Sequence, residues 1–558
     1  MKKSISVVLS CLLIMLSLCQ LFASAAAEPF GRVNNTIPTI NIAGDGNAIV
    51  IPDETAEGGE RQVFKMNALL NNFDSSDDSS VSDALANLLL PFLKEGILKN
   101  NWEPYYENLQ KEVGDLFEYV QLDKDGNAQY GTTIPGWHRW VNWYNQEHDN
   151  KGDKGFYDFD DYHFWYDWRL DPVESAEQLH TYIQNVKRVT GSDKVALLSS
   201  CLGSNVALAY VATYGTDDLY GLAIDATVAN GSEFISEAIS GDFHLDGNAI
   251  VRFLDSANGT NLFSVSDFIR DTVDLATQSG LLDGISLITR LTIYDKVKEG
   301  VTSALALGTV MTMPCYWACV SPEDYEEAKL YVFGEPGSQK RIEYAGLIEK
   351  LDRYHDQVSC RVDELLQTVY DNNVLLAVMA KYGEQIVPIG TSNTVIGDEF
   401  ASLTRASFGA TTADSIYDTL SDEYIAQQTA LGLEKYISPD RQVDASTCMF
   451  PDYTWFIKGA THTIRTDTEN IQLYECITAD RQLTIDDFEL SQYMVYDNQT
   501  KVMSAMTEEN CHTETFNTDR NHDKPRNIFV KIKIYFESLQ RWLRTVFSVI
   551  KNNAKEQG

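Results

Sequence analysis

Basic residues are scarce in this chain. Its 558 residues hold 44 Lys and Arg against 81 Asp and Glu, a formal net charge of −37. A surface that acidic repels polyanions, which argues against a nucleic-acid partner and suits an exported protein. Metal-ligand spacings are missing as well. The nine histidines and nine cysteines include no His-x-x-x-His and no Cys-x-x-Cys pair, so neither a metal nor a cofactor is implied. Two of the cysteines, Cys11 and Cys19, fall in an apolar run over 7–22, which Lys2-Lys3 precede and Ala23-Ser24-Ala25 follow. That order is a secretory signal peptide over 1–27, cut after Ala25 or Ala27; an uncleaved anchor helix is the other reading. The mature chain is then expected to be secreted, with seven cysteines left. Seven is odd, so in an oxidising compartment one thiol stays unpaired, and six paired with Cys201 free is one arrangement.

What the chain does have is a core-forming composition, 44% hydrophobic and 22% charged, and one stretch that organises the rest. Residues 195–203 read Val-Ala-Leu-Leu-Ser-Ser-Cys-Leu-Gly. Four apolar residues make a buried strand, Ser199, Cys201 and Gly203 set a small–x–nucleophile–x–small pattern, and a helix follows over 205–214, closed by Gly215. Strand, sharp turn, helix is the context of the nucleophile elbow of α/β-hydrolases, with Cys201 where serine is usual. A thiol beside a helix N-terminus and a histidine is a strong nucleophile. The competing reading is a small buried core cysteine in a protein without catalysis. Ser200 and Ser204 do not sit at the apex.

Along the chain, 35–53 carries strand, Gly-rich turn and strand, a place from which a backbone N–H can face a developing oxyanion. Residues 74–80 read as a solvated loop. Asp123-Lys124-Asp125-Gly126-Asn127 lacks the spacing and closing Glu of a calcium loop and reads as a turn. The aromatic-rich segment 158–172 leads into a helix over 173–189 with Leu179, Tyr182, Ile183 and Val186 on one face. A strand over 219–228 follows the elbow, and the βαβ rhythm predicts a mainly parallel α/β sheet. Residues 229–370 lose that rhythm, show helical periods at 265–275 and 322–331, and read as a cap insertion. Strands resume at 374–380 and at Trp455-Phe456-Ile457. Loops after them carry Asp398 and His462, so the order is nucleophile, acid, histidine, as in the α/β-hydrolase triad.

On Tyr166-Asp167-Trp168-Arg169-Leu170, the elbow, Tyr382-Gly383 through Gly397-Asp398, and His462, the sequence resembles the lecithin:cholesterol acyltransferase family with its phospholipid:diacylglycerol acyltransferase relatives. The resemblance spans roughly 35–465. It implies an α/β-hydrolase domain over 28–463 with a helical cap, and acyl-ester chemistry on lipids. It makes Cys201 the nucleophile, Asp398 the acid and His462 the base, with the N–H groups of Asp45 and Leu202 as oxyanion donors. The chain departs from the family at Cys201, at Ser200 where histidine is usual, at Ala43-Gly44 for Pro-Gly, and at Glu-Phe-Ala-Ser after Asp398.

Residues 464–516 read as a C-terminal extension in which Cys476 and Cys511 close a small lobe. A polar linker over 517–524 precedes an amphipathic helix over 525–555, opening at Pro525 and reaching Lys555. Its basic face, on so acidic a protein, suits peripheral contact with anionic membrane; docking on its own body is the alternative. The expected function is a secreted lipid acyl hydrolase or O-acyltransferase working through a thioester. The rivals are an inactive surface protein that binds lipid or a partner, and a thiol hydrolase of non-lipid esters or amides.

Overall fold

The computed structural model describes residues 37–44, 48–56, 59–65, 95–96, 99–135, 162–242, 296, 299–300, 310–388, 390–488, 491–497 and 500–511. The expected signal peptide, the loop 74–80, Asp45, the helical period 265–275, the linker and the helix at 525–555 lie outside them.

The scaffold is an eight-stranded sheet. Its strands in chain order are β1 (Thr39–Ile42), β2 (Tyr162–His163), β3 (Val195–Ser200), β4 (Leu219–Asp225), β5 (Leu375–Tyr382), β6 (Thr454–Lys458), β7 (Tyr493–Asp497) and β8 (Val502–Ala505). Spatially they run β8-β7-β6-β5-β4-β3-β1-β2, all parallel except the last pair, β7 and β8. The interior strands are near-continuous apolar runs because both faces of a parallel sheet are covered. Successive side chains alternate between two cores. Val195, Leu197, Leu222, Ile224, Leu376 and Val378 enter one; Ala196, Leu198, Ala223, Ala377 and Met379 enter the other.

Helix α1 (Pro172–Thr190) starts where Asp171 accepts the Val173 N–H, with Pro172 in the first turn, and stops at Gly191 with φ 72°. Its Leu179, Tyr182, Ile183 and Val186 are fully buried in the first core. Helix α2 (Leu202–Tyr214) is buried from Leu202 to Val211 on every side, so its apolar sequence shows no amphipathic stripe. Helix α3 (Val362–Asp371) also joins that core, while α4 (Asp467–Thr478) packs Leu473, Cys476 and Ile477 into the opposite one.

Several expectations shift. The helix after the elbow begins at Leu202 rather than 205. In the expected cap, the period at 322–331 becomes a helix over Tyr325–Phe333. Ala48–Pro52 leaves the main sheet to pair with Glu60–Lys65. The turn at Asp123 forms as read, its carboxylate accepting the N–H groups of Asp125 and Asn127 at 2.9 and 2.8 Å. The small lobe does not form: β7 and β8 extend the main sheet, α4 packs against it, and Cys476 and Cys511 are separate thiols. None of the seven cysteines is paired, which corrects the six-paired arrangement; only Cys360 is exposed. Among the described residues, no helix is long and apolar enough to cross a membrane.

Candidate active site

The chain moves outward from β1 to the edge strand β2, then returns past β1 to β3. At such a reversal a crevice opens beyond the carboxyl ends of the strands. Cys201 stands there, at φ 50° and ψ −126°, a backbone region that costs a non-glycine residue about 1–3 kcal/mol. The strain is held on three sides. Cys201 donates its N–H to Asp225 O at 3.1 Å. A Cβ on Gly203 would lie 2.1 Å from Ile42 O, and one on Gly44 would lie 2.5 Å from the Cβ of Cys201. Only glycine lets β1, its loop and α2 close on the turn. Ser199, at the position usually glycine, fits by donating its hydroxyl to Ala223 O at 2.8 Å.

Asp398 follows the short pairing of Ile396–Gly397 with Glu384–Gln385. One carboxylate oxygen accepts the N–H groups of Phe400 and Ala401 at 3.2 and 3.0 Å. The other meets His462 Nδ1 at 2.7 Å, and the His462 N–H donates to Asp398 O at 3.0 Å. Asp398 is therefore no helix cap; Ser402 caps the next helix itself. Phe400 sets its ring edge-on to the imidazole at 5.1 Å. Bonding at Nδ1 fixes that proton and leaves Nε2 to act as a base. Burial works against the charged imidazole, but Asp398 and then Cys201 outweigh it and raise His462 well above its ordinary value. Nε2 is buried and makes no regular hydrogen bond. Cys201 is thus near enough to act on the charge of the ring without completing a hydrogen bond to Nε2.

The structure thus brings Cys201, Asp398 and His462 together. The Leu202 N–H opens α2 beside Cys201, and the Asp45 assignment cannot be placed because that residue lies outside those described. Gly44, just before it, abuts the elbow, and Tyr166 donates its hydroxyl to Ala43 O at 2.8 Å, holding this loop. Arg169, fully buried, forms a two-pronged pair with Asp167 at 2.9 and 2.6 Å and also reaches Thr132 and Val120 O. Tyr166 and Arg169 act as architecture here: they tie the segment after β2 to its neighbours.

Sequence reasoning missed a buried ionic network under the site. Lys381, at the end of β5, lies 3.4 Å from Asp225 and 3.0 Å from Glu469, and all three side chains are fully buried. Arg465 Nε lies 3.2 Å from Asp225, and its Nη1 donates to Ser200 Oγ at 3.4 Å. Burial alone would push Asp225 up; Lys381 and Arg465 hold it below the ordinary carboxylate value. Burial and then Asp225 push Glu469 up to about 8. The network fastens the His462 loop to the ends of β3, β4 and β5. A lysine closing the apolar run of β5 was the available signal, since a charge there needs a buried partner.

Among the described residues no cluster of three His, Cys, Asp or Glu could hold a metal. A cavity of about 490 Å³, lined by Val50, Pro52, Thr132, Asp167 and Leu170 among others, includes no triad residue and is not assigned to the chemistry. Cys360 lies 3.2 Å from His355 Nε2 at the surface, and no carboxylate bonds that histidine among the described residues.

The sequence matches no protein-family model and no curated protein. Among solved structures it is similar to the crystal structure of the Tle4–Tli4 complex, with 13% sequence identity and a TM-score of 0.24 over 62% of this chain and 74% of that one.

Proposed function

We propose that the protein is an acyl hydrolase or O-acyltransferase of α/β-hydrolase type, acting on lipid acyl esters through a thioester on Cys201. The observation that carries the reading is a strained cysteine at the strand–helix turn beside a histidine oriented by a buried carboxylate. The strand order around β1 and β3 and the sequence of nucleophile, acid and histidine agree with that fold. In the first half-reaction, His462 Nε2 takes the thiol proton as Sγ attacks the acyl carbonyl carbon. The oxyanion receives the Leu202 N–H, whose helix N-terminus favours negative charge. Collapse breaks the ester C–O bond, the alcohol leaves with the proton from His462, and the acyl group remains on sulfur. Water or an acceptor alcohol then gives its proton to His462 and attacks the thioester carbonyl; the C–S bond breaks, the acid or new ester departs, and His462 returns the proton to sulfur. Asp398 stabilises the imidazolium throughout. We place the mature protein outside the cell, with 525–555 drawn to anionic membrane.

Turnover of a short-chain ester tests this: the Cys201→Ala and His462→Ala variants should lose it, and iodoacetamide should abolish it in the wild type. A second reading, a non-catalytic lipid- or partner-binding protein, is favoured by the absent Cys201–His462 hydrogen bond. Folded protein without ester turnover would select it.

A further inference from the structure

Glu399 follows Asp398 directly and carries two costs at once. Its φ is 90°, in the region that favours glycine. Its side chain is 1% exposed, and neither carboxyl oxygen has a hydrogen-bond partner. A buried carboxylate without a donor is costly in itself. The groups facing it make ionisation harder: Glu384 from the neighbouring short strand and Asp398 in its own loop, with only His462, after β6, of opposite sign. Lys381 and Arg405 are engaged elsewhere, Lys381 with Asp225 and Glu469, and Arg405 with Glu233 and Glu323. Burial holds the Glu384 carboxyl up to about 8 and raises Glu399 well above its ordinary value, with Glu384 and Asp398 adding to it. Burial without a hydrogen-bond donor favours the neutral acid at Glu399.

The backbone links Glu399 to the acid arm of the site. Glu399 O accepts the Val387 N–H at 3.0 Å, Glu384 bridges to Gly397 and Asp398, and the Phe400 and Ala401 N–H groups converge on the Asp398 carboxylate. The backbone that carries Glu399 is therefore shared with the residues that present Asp398. We propose that Glu399 is a positioning residue that gates the Asp398–His462 pair by pH. Its protonated carboxyl is the form the closed loop 397–402 contains, and its ionisation drives that loop, with Asp398, off His462. The gate rests on the acyl-transfer reading only in taking this pair as the working one.

The test follows the downfield proton resonance of the His462 Nδ1–H bonded to Asp398, assigned by its loss in Asp398→Asn, in the full chain from acid to alkaline pH. Wild type should lose the resonance on the alkaline side, and Glu399→Gln should keep it at least about one pH unit higher. Glu399→Gly, which removes the carboxyl and the backbone strain together, should do the same and raise Tm. Loss at the same pH in wild type and both variants overturns the gate, as does a wild-type resonance that survives wherever the protein is folded. Should Glu399→Gln fail to fold, Glu399→Gly carries the comparison. Absent ester turnover with a resonance that still shifts would overturn the acyl-transfer reading and uphold the gate.

Discussion

Removing Lys381 probes the network that holds the His462 loop. Lys381→Met keeps the length of the side chain and takes away a fully buried ammonium 3.4 Å from Asp225 and 3.0 Å from Glu469. Breaking a buried pair by deleting one partner costs about 3–5 kcal/mol. Two features reduce that here. Arg465 still lies 3.2 Å from Asp225, and Glu469, held up to about 8, keeps its proton at neutral pH. The expected loss is therefore about 3 kcal/mol, at the low end of that range. Urea denaturation at neutral pH reads it. Adding Asp225→Asn should recover part of the loss, because the second substitution removes the charge left behind, and the interaction term should be about 1–3 kcal/mol. A loss under about 1 kcal/mol, or strict additivity, would refute the idea that this ion pair fastens the loop.

Three further outcomes follow from the same contacts. Asp398→Asn should leave the fold intact and lower ester turnover about 10⁴-fold, because an amide cannot stabilise the His462 imidazolium or enforce its tautomer. Gly203→Ala places a methyl 2.1 Å from Ile42 O and should cost about 3 kcal/mol in urea denaturation, at the upper end for an overpacked site. Glu384 has a folded value of about 8 against an ordinary 4.5. The native state thus holds a proton that the unfolded chain releases, so the contribution of Glu384 to stability is fully present below 4.5, falls as pH rises to about 8, and is flat beyond. That span corresponds to at most about 5 kcal/mol, shared with Glu399, which titrates with it. Glu384→Gln should flatten the decline in urea denaturation measured across the same window.

Much of the site was legible because its signals are local. An apolar strand, a small-residue turn and an apolar helix mark the elbow within twenty or so consecutive residues, and chain order then singles out Asp398 and His462. The network of Asp225, Lys381, Arg465 and Glu469 was not legible, because its pairs join residues far apart in sequence and only the sheet order brings them together. The edge strand β8 escaped for another reason. Val502–Ala505 alternates exposed and half-buried residues in only four positions, too short a pattern to separate from a loop. Cysteine parity misled outright: an odd count suggests pairing only if partners are adjacent in the fold, and here none is bonded. The chemistry of Glu399 was hidden as well, since a glutamate gives no sign in sequence that its backbone will take positive φ.

The central claim is that Cys201 carries the acyl group. Intact-mass analysis after brief incubation with an activated short-chain ester addresses it without assuming the natural substrate. The account predicts a gain of one acyl unit, mapped to the peptide containing Cys201, released by hydroxylamine and absent from Cys201→Ala. An unmodified protein, or an adduct that persists in Cys201→Ala, would contradict it.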